Sequence, residues 1–247
     1  MKAIYILWLR QLKRYFRSKA RVVGSIGQPL LFLVALGFGL GPVFQNAGEG
    51  NYLQYLSPGI IAMSILFTAL FSGIEIIWDR QFGFLKETLV APVSRLEIMI
   101  GRTLGGATVA FAQGIIIFLI TIPLGFDPNL AMLPAALLFM FLIALFFTAL
   151  GTAIASVLKD MQGFQLIMSF IVMPTFFLSG ALFPIDGLPT AMKTVLTINP
   201  LAYGVDGLRG ALTGGSYYGL GIDFLILGGV TILLLILGSY LFSKIQI

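Results

Sequence analysis

The chain has 247 residues, of which 58% are hydrophobic and 10% charged, and its mean hydropathy is +1.01. Soluble domains carry about 25% charged residues, so this composition excludes an ordinary soluble protein and indicates a membrane protein. Cysteine and histidine are absent, which excludes disulfides, zinc sites built on either residue and a histidine general base. The net charge is +5. Because basic residues adjoin apolar runs, we expect lipid headgroups rather than nucleic acid as the partner.

The N-terminal segment is predicted to form a basic amphipathic helix at the membrane interface. Five basic residues recur three or four positions apart and would share one helical face; they are Arg10, Lys13, Arg14, Arg17 and Arg21. Apolar and aromatic residues occupy the rest of the helical wheel. We expect an anchor that sets topology, and a role in relaying movement from a cytoplasmic partner is the alternative.

Six apolar runs predict six transmembrane helices in one all-α transmembrane domain covering residues 1–247. Each run is long enough to cross a hydrocarbon core of about 30 Å. The runs are approximately 22–43, 58–78, 103–124, 131–158, 163–183 and 221–242. Pro174 falls near the middle of the fifth run.

Lysine and arginine predict the orientation. Thirteen of the 15 fall before the first run, after the last one, or in the loops that would share their side of the membrane. The positive-inside rule therefore places both termini in the cytoplasm of a protein of the plasma or inner membrane.

Glu75 is a carboxylate inside a predicted span, near the end of that span, and an intramembrane acid is a candidate functional group. It lies about one turn from Asp79 and Arg80, so reaching the interface is the alternative.

The loop after the second run predicts a helix, a break and a second helix. The segment 84–90 contains neither glycine nor proline, Pro92 disfavours a helical residue before it, and Ser94 with Glu97 fits a capping box. Apolar residues beside charged ones suit a protein contact, although a solvated loop is the alternative. The candidate contact residues are Phe84, Leu85, Lys86, Glu87, Thr88, Leu89, Pro92, Ser94 and Arg95.

The segment before the last run is apolar, but proline and glycine interrupt it too often for a spanning helix. Short helices that dip back towards the membrane fit this pattern, provided that protein buries them. Asp206 and Arg209 are three apart and could form a surface ion pair on one such helix. The candidate residues of this outer motif are Gly180, Pro184, Pro189, Asn199, Pro200, Tyr203, Asp206 and Arg209.

The sequence contains no G-x-x-x-x-G-K-[ST] phosphate-binding motif. Any ATP hydrolysis must therefore come from another chain, and we expect no catalytic site, cofactor or metal in this one.

Two ordered sets of motifs resemble a known family. FLSGALFP at 177–184 is followed by NPLAY at 199–203 and DGLRG at 206–210, and KETLVAPVSR occupies 86–95. This arrangement resembles the membrane subunit of type-2 ATP-binding-cassette exporters, the group that includes permeases of the daunorubicin kind, over nearly the whole chain. The family often has threonine where this chain has Ala202, which is a small departure.

The resemblance implies six spans, outer re-entrant helices and an inner coupling helix that docks on an ATPase subunit. It further implies that the partner subunit binds MgATP and that two permease copies, most simply a homodimer, form an alternating-access path for export. Three alternatives stay open. They are a secondary transporter or channel driven by an ion gradient, a membrane enzyme that acts on lipid, and a complex that transmits force without moving a solute.

Overall fold

The computed structural model describes residues 2–46, 50–158, 160–185 and 187–244, except the side chains of Lys86 and Leu89. Regular structure in these residues is entirely helical. The helices are α1 Lys2–Arg17, α2 Lys19–Asn46, α3 Tyr52–Ser72, α4 Ile74–Gln81, α5 Phe84–Val90, α6 Arg95–Thr121, α7 Leu133–Val157, α8 Met161–Phe177, α9 Thr190–Ile198, α10 Pro200–Thr213 and α11 Leu220–Ser243. Short 3-10 turns at Ile122–Leu124 and Leu130–Met132 extend α6 and precede α7.

Five segments are long and apolar enough to cross a membrane, and they match five of the six predicted runs. They are Lys19–Asn46, Tyr52–Gln81, Arg95–Leu124, Leu130–Val157 and Leu220–Ser243. The all-α membrane class predicted from composition is thereby confirmed.

In the run predicted at 163–183, the helix ends before the C-terminal end of the run. Its helix, α8, has 17 residues and is about 25 Å long, shorter than a typical hydrocarbon core. It ends at Phe177 because the chain turns at Gly180, whose φ of +73° is a left-handed conformation. Pro174 therefore lies in the last turn of α8 rather than at mid-span.

The central helix of the bundle is α3, which packs against α2, α6, α7, α8 and α10. It joins α4 at Gly73, where α7 crosses so closely that a Cβ atom on Gly73 would overlap the backbone of Gly151. On the other side of this contact, a Cβ atom on Gly151 would lie 2.5 Å from the Leu70 carbonyl oxygen. Glycine at both positions lets the two backbones touch.

The segment predicted as one basic helix is in fact two. Helix α1 ends at Arg17, and Ser18 separates it from α2, with its carbonyl accepting hydrogen bonds from the amides of Arg21 and Val22. Arg21 therefore belongs to α2. Helix α1 packs along α6, where a Cβ atom on Gly101 would lie 3.0 Å from the Ile4 carbonyl oxygen.

The two ends of the bundle have different character. At the end that we name the α5 end, α1, α4 and α5 meet the start of α6 and the end of α7. Arg95, at the start of α6, donates a hydrogen bond there to the carbonyl of Ser243, at the end of α11. At the opposite end, the α10 end, α9 and α10 lie between the end of α8 and the start of α11.

Candidate functional sites at the two ends of the bundle

Helix α5 and the break that follows it have the structure that the sequence predicts. The helix runs from Phe84 to Val90, and Ala91 is extended before Pro92. Ser94 then caps α6, with its hydroxyl accepting from the Glu97 amide at 3.2 Å while the Glu97 carboxylate accepts from the Ser94 amide at 3.4 Å. This capping box fixes the direction in which the chain re-enters the bundle.

The side chains of α5 divide into an inward and an outward set. Leu85 is fully buried, and Phe84 is half-buried beneath the Arg10 guanidinium, whose Cζ lies 3.7 Å from the ring centroid. Glu87, Pro92 and Val90 are exposed, Val90 to 84% of its surface. Leu85 was therefore wrongly placed among the contact residues, because it has no surface to offer a partner.

We name the outward set the α5 face, which consists of Phe82, Glu87, Val90, Pro92 and the exposed side chain of Leu96. Large apolar side chains grouped around a charge have the composition that suits a protein contact. Phe82, Val90 and Leu96 were absent from the predicted contact set. The sequence did contain a signal for them, because each stands beside a feature that ends or begins a helix. Phe82 precedes a loop glycine, Val90 precedes the break at the proline, and Leu96 follows the cap of α6.

A buried cluster of ion pairs lies directly beneath α5. Asp79 at the end of α4 accepts from Arg102 Nη2 at 2.7 Å, and from Arg10 through two hydrogen bonds of 3.0 Å each. Arg102 is only 3% exposed, and its Nε and Nη1 have no hydrogen-bond partner among the described residues. Asp79 is thus the main counter-charge of a cation that water hardly reaches.

Glu75 belongs to the same cluster, one turn earlier in α4. It is 3% exposed and pairs with Arg21 of α2 at 2.6 Å and with Arg14 of α1 at 3.7 Å. Ion pairs with arginines therefore accommodate the charge of Glu75, and both interpretations of this residue stay predictions. Arg14 also approaches Asp79 at 3.5 Å, so this one arginine contacts both carboxylates.

The predicted basic face is split by these contacts. Arg10, Arg14 and Arg21 turn into the protein to meet the two acids, whereas Lys13 and Arg17 remain exposed. The exposed pair keeps the character expected of an interfacial anchor. The inward set joins α1 and α2 to α4, and Arg102 adds α6.

A further contact connects the α5 end with α7. Arg80 donates to the carbonyl oxygens of Leu158 at 2.7 Å and Ser156 at 3.2 Å, at the end of that helix. These carbonyls have no intrahelical partner, and a cation suits the negative end of a helix. These polar contacts thus join five helices at the α5 end, namely α1, α2, α4, α6 and α7.

At the α10 end, Asn199 and Gly180 hold the outer motif together. Asn199 caps α10 by accepting from the Leu201 amide at 3.1 Å, and its side-chain amide donates to the carbonyls of Thr175 and Leu178 at 2.7 Å each. The Gly180 carbonyl accepts from the Tyr55 hydroxyl at 2.8 Å and from Arg209 Nη2 at 2.9 Å. This motif therefore fastens α8, α10 and α3 to one another.

The remaining residues of this motif shape its turns. Pro200 is the first residue of α10, where a missing amide hydrogen is tolerated, and Pro189 stands at the N-cap of α9. The Tyr203 hydroxyl donates to the Thr197 carbonyl at 2.8 Å. Pro184 is half-buried. Helix α10 is about 20 Å long and largely buried, as expected of a short helix that dips into the bundle.

Asp206 and Arg209 do not form the surface pair that their spacing suggested, because both are buried and their described hydrogen bonds go elsewhere. Asp206 accepts from the Ser216 hydroxyl and the Tyr217 and Tyr218 amides at 2.8–3.0 Å. The Arg209 guanidinium stacks on the Tyr55 ring, 3.8 Å from its centroid. The two residues contribute to the wall of an open cleft of about 570 Å³.

The electrostatics of this end reflect burial. Burial raises the pKa of the Tyr218 phenol to about 12, and the pKa of Tyr203 is raised for the same reason. Both phenols therefore stay neutral at physiological pH. Among the residues that the structure places, no group of three or more acidic, histidine or cysteine side chains is arranged to hold a metal ion.

A bundle with five long apolar segments, a short helix with an exposed face at one end and buried short helices at the other is typical of a polytopic membrane protein. Residues 2–213 match the family described as "ABC-2 type transporter". The chain belongs to this family and is a transport permease, consistent with the permease subunit of an ATP-binding-cassette exporter. The family supplies the membrane component of transport rather than a catalytic one.

Similar proteins carry names that agree with this class. The chain is 29% identical over 258 residues to "Putative transport permease ycf38" of Cyanophora paradoxa, covering 99% of this chain and 89% of the relative. It is 30% identical over 212 residues to "Nodulation protein J" of Rhizobium leguminosarum bv. trifolii, covering 85% and 78%. It is also 30% identical over 215 residues to the ycf38 permease of Porphyra purpurea, covering 85% and 73%.

Proposed function

We propose that this permease forms one half of an export path and that an ATPase subunit drives it by docking on the α5 face. The observation that carries the proposal is the two-sided construction of α5. Its outward side chains are exposed, while on its inward side Leu85 is buried and Phe84 packs against Arg10 of the charge cluster. MgATP is bound and hydrolysed by the partner, since this chain has no phosphate-binding motif of the G-x-x-x-x-G-K-[ST] type.

The charge cluster gives a physical route for movement of α5. Displacement of Phe84 moves the Arg10 guanidinium above it, and Arg10 holds Asp79 through two hydrogen bonds. Asp79 is bonded in turn to Arg102 in α6, and Arg14 connects Asp79 with Glu75. Charge-assisted hydrogen bonds with two contact points hold distance and angle closely. Movement of one member of the cluster therefore displaces the others.

We further propose that the α5 end faces the cytoplasm, with both termini on that side, and that α8 serves as the sixth membrane-crossing element. The lysine and arginine distribution supports the orientation. Exposed apolar side chains such as Leu166 and Phe170 support lipid or subunit contact along α8. A second permease copy completes the path, an assembly supported by the type-2 exporter resemblance.

An ion-gradient mechanism centred on Glu75 is disfavoured. Such a mechanism needs an acid that exchanges its ion with water in a cavity at mid-membrane. Glu75 is instead buried beside Arg21 at 2.6 Å and Arg14 at 3.7 Å, near the end of its span. These contacts make it a fixed counter-charge of the cluster.

Reversing the charge at Glu87 tests the docking proposal. Glu87 is exposed on the α5 face, so Glu87→Arg should leave insertion and thermal stability unchanged while reducing the amount of ATPase subunit that co-purifies from native membranes. Asp127→Arg is the matched control, because Asp127 is an exposed carboxylate at the α10 end. Equal ATPase recovery with Glu87→Arg, Asp127→Arg and the wild type would contradict docking at this face.

A further inference from the structure

A lateral groove runs along the outside of the bundle where α6, α7 and α11 meet, towards the α5 end. Its volume is about 410 Å³, within the range of pockets that bind small molecules. Both α6 and α11 are long and apolar enough to cross a membrane, so the groove would open to the lipid. Its walls include Ile100 and Thr103 of α6, Leu145 of α7, and Leu235, Ile236 and Ser239 of α11.

Two hydroxyl groups stand in this otherwise apolar groove. Thr103 is 1% exposed, and its Oγ1 has no hydrogen-bond partner among the described residues. Ser239 likewise makes no hydrogen bond within the described part of the chain, whereas Thr231 and Ser243 on the same helix donate to carbonyls of the preceding turn. A hydroxyl without a partner is unfavourable in hydrocarbon, so a ligand with hydrogen-bond acceptors is expected beside these two.

Two cations lie at the α5 end of the lateral groove. Arg95 directly precedes Leu96, which stands on the border between the groove and the α5 face, and it donates to the Ser243 carbonyl at the end of α11. Lys244 follows and is exposed, with its ammonium 4.3 Å from the centroid of the Tyr240 ring. The groove thus has apolar walls and a positively charged mouth.

We propose that the lateral groove binds one glycerophospholipid with an anionic headgroup. Its phosphate lies beside Arg95 and Lys244, and one acyl chain lies along the apolar walls. Basic pockets between spans on the cytoplasmic side attract such headgroups. Binding of this kind requires that α6 and α11 cross the membrane with the α5 end in the cytoplasm, and it does not depend on docking of an ATPase subunit.

The spacing of the polar groups along the groove matches the layers of a phospholipid. Ser239 lies four residues before Ser243, and Thr103 lies eight residues after Arg95, which correspond to depths of about 6 and 12 Å along the helices. The headgroup layer on each side of a bilayer is about 5–7 Å thick. With the phosphate at the level of Arg95, the two hydroxyls bracket the level of the ester carbonyls, which accept hydrogen bonds.

A second copy of the chain suits this groove less well than a lipid. In a dimer whose two-fold axis lies along the membrane normal, the same two cations of each copy would face one another at one level, and like charges oppose such a contact. Glu97 is the acid closest to Arg95 in the sequence, and its carboxylate accepts from the Ser94 amide in the capping box. The charge at the mouth therefore favours an anionic ligand.

Photolabelling of the full chain in neutral phosphatidylcholine nanodiscs tests the proposal. The probe is phosphatidylglycerol with a diazirine in one acyl chain, and the labelled residues are mapped by mass spectrometry. Labelling within 96–104 and at Ser239 should saturate, and unlabelled phosphatidylglycerol should compete more strongly than phosphatidylethanolamine with the same chains. Leu233 and Leu237, which are 67% and 53% exposed on another side of α11, should show labelling that does not saturate.

Three variants separate the parts of the site. Lys244→Gln should raise the amount of phosphatidylglycerol needed for half-maximal labelling about fivefold, as for loss of one basic residue near a membrane surface. Lys13→Gln is the matched control, because Lys13 is an exposed cation of α1 at the same end, and it should leave labelling of the groove unchanged. Ser239→Phe should abolish that labelling by filling the groove, and Lys244→Gln keeps the test valid if Ser239→Phe does not fold.

Four results would overturn the proposal. Groove labelling that does not saturate would make the groove ordinary lipid-facing surface, and equal competition by the two phospholipids would exclude recognition of the negative charge. Equal effects of Lys244→Gln and Lys13→Gln would place the headgroup elsewhere. A disulfide-linked dimer of Ser239→Cys, formed in native membranes under oxidising conditions, would assign the groove to contact between two copies of the chain.

Discussion

Replacement of Asp79 by asparagine should destabilise the bundle more than any other single loss of charge at the α5 end. Arg102 is 3% exposed, and of its guanidinium nitrogens Nη2 alone has a described hydrogen bond, to Asp79. Asp79→Asn keeps the shape of the side chain but removes its charge, leaving a buried cation without its principal counter-charge. Breaking a buried pair in this way costs about 3–5 kcal/mol.

Removing Arg102 as well should restore part of the stability that Asp79→Asn loses. Arg102→Met replaces the cation with an apolar chain of similar length, and replacing both members of a buried pair is often close to neutral. The double variant Asp79→Asn/Arg102→Met should therefore be more stable than Asp79→Asn alone. Arg10 is partly exposed and can turn towards water when Asp79 is changed, so it adds little to the loss.

The assay is equilibrium unfolding of the detergent-solubilised chain by a denaturing detergent, followed by circular dichroism. A double-mutant cycle over the two positions isolates the interaction free energy, and Asp127→Asn controls for loss of an exposed carboxylate, at under about 0.5 kcal/mol. A loss below about 1 kcal/mol for Asp79→Asn, as for an exposed ion pair, would refute the reasoning, and so would additive effects in the cycle.

Two further substitutions test the packing of the bundle. Gly151→Ala should destabilise the protein by about 1–3 kcal/mol, because the new Cβ atom would lie 2.5 Å from the Leu70 carbonyl oxygen. The control in the same unfolding assay is Gly228→Ala, where a Cβ atom meets nothing within 4 Å. Equal stability of the two variants would contradict the close crossing of α3 and α7. Asn199→Ala should reduce the free energy of unfolding by about 2 kcal/mol, since it removes the cap of α10 and both hydrogen bonds to the end of α8. Proteolysis of the segment between α8 and α10 should become faster in this variant. An unchanged rate of proteolysis would argue against this role.

Features governed by neighbouring residues were predictable from the sequence. The capping box at Ser94 and Glu97 and the end of α5 before Pro92 depend on contacts within four residues, and local signals suffice for these. Hydropathy likewise located the five long spans. It misplaced the end of α8, because the turn at Gly180 is built from apolar residues and therefore has the same hydropathy as a helix.

Features that depend on tertiary contact were not predictable. Arg102 and Asp79 are 23 positions apart, and Arg10 and Asp79 are 69 apart, so no periodicity within one helix connects them. Spacing suggested that Asp206 would pair with Arg209, but backbone amides of the following loop satisfy Asp206 instead. Local spacing shows which side chains can meet within one helix, and it cannot show that another segment provides better partners.

The most direct test of the central claim is crosslinking from a single position on the α5 face. The chain has no cysteine of its own, so Val90→Cys introduces one exposed thiol on this face, and Leu130→Cys introduces another, also exposed, near the α10 end. In native membranes, we predict that Val90→Cys crosslinks to a nucleotide-binding subunit that bears G-x-x-x-x-G-K-[ST], and that Leu130→Cys does not. Crosslinking of that subunit at Leu130→Cys alone, or a chain that transports without any such subunit, would contradict the account.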